Sequence, residues 1–159
     1  MSAKIDTGIA AKDRAAVAQG LSKALADTYA LYLKTHGYHW NVRGPNFSSL
    51  HTLFMDQYTE QWQALDEIAE RIRALGEFAP QSGSAFGNLT SIKDGDPELD
   101  WEGMVGDLKA GQETVIATLR DLLDLADKAG DDVTVDLATQ RLTAHEKHDW
   151  MLRATLGVK

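Results

Sequence analysis

The sequence of 159 residues predicts an all-α fold, four long helices packed as a bundle with one long connection between the second and the third. Three observations carry this. Apolar residues recur at steps of three or four along four long segments, the spacing of one helix face. The three prolines, Pro45, Pro80 and Pro97, fall between those segments rather than within them. No stretch alternates apolar and polar residues and no Asn-Gly turn occurs, so nothing marks a strand or a hairpin.

The first helix is expected over residues 13–37, where Val17, Leu21, Leu25, Tyr29 and Tyr32 make the stripe. The second runs from Asn46 to Leu75 without a glycine or proline. Asn46 or Ser48 can cap its start, and Gly76 stands at a C-cap position. Residues 77–96 are rich in Gly and Ser and predict a long loop with a short helix near Phe86–Leu89. The third helix follows Pro97 and reaches Lys128, with Trp101, Val105, Leu108, Val115, Leu119, Leu122 and Leu123 on one face. Gly130 ends it, and Asp131 or Asp132 caps the fourth, Val133–Leu156. Helices of about 25–30 residues reach roughly 40 Å, the length of a bundle. The connection between the second and third is long enough to cross it. Residues 1–12 form a short flexible tail, 13–156 one domain and 157–159 a terminal end.

Composition narrows the function. Hydrophobic residues are 43% and charged residues 25%, a globular balance. Absence of cysteine excludes disulfides, zinc-thiolate sites, iron–sulfur clusters and a cysteine nucleophile. The net charge of −8 favours cations as partners rather than nucleic acid. No signal peptide and no membrane-spanning run is visible, which points to the cytoplasm.

The second helix carries two faces beyond the solvent one. Leu50, Phe54, Leu65, Ile68, Ala69, Ile72 and Leu75 share the core sector. His51, Met55, Tyr58, Trp62, Asp66 and Glu70 share another, too apolar to be left wet. Glu60, Glu67 and Arg71 fill the remaining sector, expected to face solvent. A surface loop such as 77–96 could cover the second face, but a second copy of the chain fits it better. Asp66 and Glu70 are one turn apart, so their carboxylates stack. His51 lies fifteen residues from Asp66, roughly 22 Å along the axis, far beyond the reach of one ion. Two antiparallel copies bring His51 of one to Asp66 and Glu70 of the other, twice over by symmetry. His39, near the end of the first helix, can add a second imidazole. Two imidazoles and two carboxylates suit iron, manganese or zinc. Taken singly, such residues are ordinarily structural. His145 and His148 in His-Glu-Lys-His have the wrong spacing for a zinc-protease motif and read as structural.

The stretch HWNVRGPNFSSLHTLFMDQYTEQWQALDEIAERIRALG, residues 39–76, and the ending HEKHDWMLRATLG resemble the Dps family, the ferritin-like mini-ferritins of bacteria. The resemblance covers nearly the whole chain. It implies a ferritin-like bundle with a crossover connection, twelve of which assemble into a hollow dodecamer. It implies ferroxidase centres at two-fold interfaces, with His39 and His51 from one chain and Asp66 and Glu70 from its neighbour. The implied reaction is oxidation of Fe(II), preferably by hydrogen peroxide and otherwise by oxygen, with ferric mineral stored inside. It also implies three-fold pores lined near Asp131, Asp132 and Asp136, whose carboxylates read otherwise as helix N-terminal charge. Trp40 and Trp62 should lie near the centre, as packing residues before electron donors.

One position departs from the family. Where an acid usually follows the second histidine by four residues, this chain has Met55, with Asp56 a step later. Asp56 points about 100° away on an ideal helix, so it enters only through a distortion or a water. A thioether suits Fe(II) poorly, so a second iron should bind weakly. Family members that bind DNA use lysine-rich tails. Residues 1–14 here carry Lys4, Lys12 and Arg14 against Asp6 and Asp13, so DNA binding should be weak or absent. The alternatives to a ferroxidase are a DNA-compacting shell and a metal-buffering cage with reduced oxidase activity.

Overall fold

The computed structural model describes residues 4–159. Five helices follow in order: α1 (Ala11–Asn41), α2 (Phe47–Ala74), α3 (Gly83–Leu89), α4 (Trp101–Lys128) and α5 (Asp132–Thr155). The four long ones make the bundle. α1 packs against α2 and α4, α4 packs against α5, and α3 rides on α1. Among the described residues there is no strand, and no helix is long and apolar enough to cross a membrane.

The ends follow the local chemistry. Asp100 accepts from Gly103 N at 2.8 Å and Asp131 from Thr134 N at 3.0 Å, each satisfying an orphan donor of a first turn. Asn46 is the N-cap of α2, but its side chain makes no cap bond, and Ser49 Oγ donates to its carbonyl instead. Gly76 and Gly130 close α2 and α4 at φ of +99° and +68°, where a Cβ would be strained. The first helix starts two residues before the expected boundary. Ile9 packs on the core, and Arg14 of α1 donates to Ile9 O at 2.7 Å and to Leu75 O at 3.2 Å, while residues 4–8 are exposed.

The core stripes are as expected: Val17, Leu21, Leu25, Leu50, Phe54, Ile68, Ile72, Val105, Leu108, Val115, Leu119 and Leu152 are buried. The crossover is held by Asp27, which is fully buried on α1. It accepts from Lys23 Nζ, Thr90 Oγ1, Ser91 N and Thr118 Oγ1 at 2.7–2.8 Å. One carboxylate thereby ties α1, the crossover and α4 together.

The third face of α2 is not the solvent face expected. Only Glu67 of its three residues is exposed. Arg141 of α5 pairs with Glu60 at 2.6 Å, and Arg71 pairs with Asp131 at 2.7 Å. The reason is that α2 meets α5 as well as α1, so its charged edge becomes a seam between helices.

Candidate metal centre

α1 and α2 cross where they carry His39 and His51. His39 Nδ1 lies 2.7 Å from His51 O, and His51 Nδ1 lies 2.7 Å from His39 O. A carbonyl only accepts, so both Nδ1 atoms donate. In the neutral ring the proton is then on Nδ1, and Nε2 keeps its lone pair. The rings stack at 3.7 Å with 15° between planes, and Phe47 stacks on His51 at 5.0 Å. His39 is buried and His51 half-buried. This is how a protein prepares imidazole ligands: the outer hydrogen bond fixes tautomer and orientation, and the other nitrogen faces the metal.

Around the pair stands a set of rings. Tyr58 meets His39 edge-on at 5.2 Å and stacks on His36 at 3.9 Å. Trp40 lies 4.3 Å from His36, and Trp62 lies 5.3 Å from Tyr32. Burial and the neighbouring His39 lower the pKa of His36, in that order. Burial, Tyr29 and Tyr58 raise that of Tyr32. The sequence reading places Tyr32 only in the stripe of the first helix and does not single out His36. Their signal was there, since residues 32, 36, 39 and 40 repeat at helical spacing beside the ligand candidate.

The carboxylates lie elsewhere. Asp66 and Glu70 are exposed on the same straight helix as His51, so one chain brings its two imidazoles together but leaves these carboxylates apart from them. Among the described residues no three His, Asp or Glu side chains converge on one point. Met55 is 41% exposed, and Asp56 is exposed. The face carrying them is also left open at Trp62, Trp40 and Leu33, which are 57%, 61% and 48% exposed. The crossover does not cover it: Phe86 of α3 stacks on Tyr29 at 4.6 Å, beside Trp62 rather than over it.

At the start of α5, Asp131 is buried and committed. It caps Thr134, accepts from its hydroxyl at 2.6 Å and pairs with Arg71. Asp132 and Asp136 are the exposed carboxylates of that segment, with Gln140 donating to Asp136 at 2.6 Å. His145 is fully buried between Gln112, 2.7 Å from its Nδ1, and Arg141, 3.1 Å from its Nε2. That is a structural setting.

An all-helical bundle with a crossover between its second and third long helices is a ferritin-like architecture, and the ferritin-like domain model matches residues 18–158. The DNA protection during starvation protein 2 of Bacillus anthracis is 37% identical over 141 residues, covering 89% of this chain and 97% of that one. The crystal structure of the Dps protein of Vibrio cholerae O1 has a TM-score of 0.92 and 31% identity, covering 98% and 99% of the two chains; it is described as a member of a broad superfamily of ferritin-like diiron-carboxylate proteins. A structure of Dps from Listeria innocua soaked with zinc has a TM-score of 0.85 and 31% identity, covering 89% and 97%. The chain belongs to the Dps family.

Proposed function

We propose that this protein oxidises Fe(II) and stores the ferric product inside a twelve-chain shell, with each iron site shared by two chains across a two-fold axis. The observation that carries the reading is the reciprocal bonding of His39 and His51, which leaves two oriented Nε2 atoms with no hydrogen-bond partner among the described residues. Asp66 and Glu70 of the neighbouring chain supply the hard oxygen donors that Fe(II) prefers. The open face with Met55, Trp62 and Leu33 is the apolar area such a pairing would bury. Iron is substrate here, and hydrogen peroxide or oxygen the electron acceptor. Zinc or manganese can occupy the same donors. Asp132 and Asp136 would draw cations through the shell. DNA binding is weak or absent on this reading, because Arg14, one of the few cations near the N-terminus, is spent on Ile9 O and Leu75 O.

Met55 favours a second reading, a metal-buffering cage with reduced oxidase activity, since it leaves the centre one carboxylate short.

Subunit mixing tests the shared site. Chains carrying His39→Ala and His51→Ala lose the imidazoles, and chains carrying Asp66→Ala and Glu70→Ala lose the carboxylates. Each shell alone should oxidise Fe(II) no faster than buffer. Unfolded together and co-assembled, they should regain part of the wild-type rate, because mixed pairs contain one complete site. No recovery in a shell that has assembled would sink the shared-site reading.

A further inference from the structure

Three helices bring a ring of polar side chains into the middle of the bundle. Gln57, Glu60 and Gln61 come from α2, Gln112 from α4, and Arg141, His145 and His148 from one face of α5. Gln57, Gln61, Gln112 and His145 are at most 1% exposed, and Arg141 and His148 are 8% exposed. The members join one another. Gln57 Nε2 stands 3.5 Å from His148 O, and the His148 and His145 rings meet edge to face at 6.1 Å. His145 Nδ1 lies 2.7 Å from Gln112 Oε1, its Nε2 lies 3.1 Å from Arg141, and Arg141 closes on Glu60, beside Gln61.

The bonds fix the polarity. Arg141 only donates, so His145 Nε2 accepts, Nδ1 carries the proton, and Gln112 turns its oxygen to it. Gln112 Nε2 is then free. Around the ring Gln57 Oε1, Gln61 Oε1, Gln61 Nε2, Gln112 Nε2, Arg141 Nε and His148 Nδ1 are buried with no hydrogen-bond partner among the described residues. Exchanging oxygen and nitrogen at Gln61 satisfies neither. Native interiors pair nearly all such atoms, with protein or with ordered water, so six in one ring point to a ligand.

Their chemistry selects it. Gln61 Nε2, Gln112 Nε2 and Arg141 Nε donate, and with the guanidinium charge they oppose a cation. Glu60, the one carboxylate of the ring, is already held by Arg141. Gln57 Oε1 and Gln61 Oε1 accept, and with Glu60 beside them they oppose an anion. Water donates two bonds and accepts two, and so fits both sets. We propose that the middle of each bundle binds a cluster of ordered water held by Gln57, Gln61, Gln112, Arg141 and His148. A buried water makes about three hydrogen bonds, so the ring calls for about two or three molecules. Glu60 marks the way in, as the one member of the ring that is not buried. The cluster gives His148 Nδ1 a partner for proton exchange inside a closed core. It lies apart from the His39–His51 crossing, and stands whether or not the protein oxidises iron.

A crystal structure of the assembled protein, at a resolution that shows ordered water and from crystals grown with zinc, tests this. Density peaks should stand within hydrogen-bond distance of the Gln61 and Gln112 amides, without a zinc anomalous signal. Gln61→Met keeps the length of the side chain but has no amide. It should lose the peak bonded to Gln61, retain the Arg141–His145–Gln112 bonds and oxidise iron at the wild-type rate. A dry wild-type core, with the Gln57 and Gln61 amides bonded to each other, overturns the proposal. So does zinc at the ring, which makes it a cation site. A Gln61→Met shell that keeps every peak overturns the assigned ligands, and if that variant fails to assemble the wild-type map decides alone.

Discussion

His39 and His51 each donate Nδ1–H to the other's backbone carbonyl at 2.7 Å, so each ligand candidate is oriented by the residue that bears its partner. Replacing His51 by Ala removes one imidazole, its stacking on His39 and its bond to His39 O, while the His51 carbonyl to which His39 Nδ1 donates stays in place. Zinc affinity of the assembled His51→Ala protein should fall by well over tenfold, since losing an outer-shell partner alone costs about 10–100-fold. Titration calorimetry measures it, and an unchanged affinity would mean that the metal binds elsewhere.

Met55→Glu restores a carboxylate one turn after His51, on the exposed face where Met55 already stands. A second Fe(II) per site should then bind more tightly by about tenfold, or about 1.4 kcal/mol. Peroxide-driven oxidation should then be faster than in wild type. Stopped-flow absorbance with anaerobic binding isotherms reads both, and a variant indistinguishable from wild type would show that Met55 does not limit the centre.

Much of this was legible in the chain because it is periodic. Four stripes, three prolines and two positive-φ glycines mark the long helices to within four residues at each end, since each signal is local. The pairing of Asp66 with Glu70 is likewise a matter of spacing. The clamp on His39 and His51 is not, because it depends on the angle at which two helices cross. The wheel also misread Glu60 and Arg71. It counts faces of one helix, and whether a third face meets solvent or α5 is decided by its neighbours. Asp131 shows the same limit, a capping residue whose second oxygen and buried ion pair belong to tertiary packing.

Asp27 is the point at which the crossover should be easiest to release. Asp27→Ala strands the hydroxyls of Thr90 and Thr118, the Ser91 amide and the Lys23 ammonium around a fully buried site. Breaking a buried, multiply bonded charge costs about 3–5 kcal/mol. The loss should be local before it is global: amides of residues 83–96 should exchange faster while those of α2 and α5 stay protected. Hydrogen-exchange mass spectrometry at neutral pH distinguishes this from general unfolding, and a uniform rise across all helices would contradict it.

His145 should make the bundle acid-sensitive. Burial above all, then Arg141 and His148, push its pKa well below the ordinary 6.5. The geometry explains the direction. Arg141 already donates toward Nε2 at 3.1 Å, so a proton there would set donor against donor and cation against cation. His148 is lowered too, by burial first, with Arg141 and Lys147 adding to it and Glu60 opposing. Above about pH 6.5 both rings are neutral folded or unfolded, and they add no slope. As pH falls below that value the unfolded chain takes up protons that the folded one refuses. Stability then drops by about 1.4 kcal/mol per pH unit for His145, until the depressed folded value is reached, with a further loss from His148. Urea unfolding of the assembled protein between about pH 5 and 7, at fixed protein concentration, measures the slope. His145→Gln cannot titrate, so its slope should be shallower by about one proton's worth even where its absolute stability is lower. An equally steep slope in that variant would place the acid sensitivity in other groups.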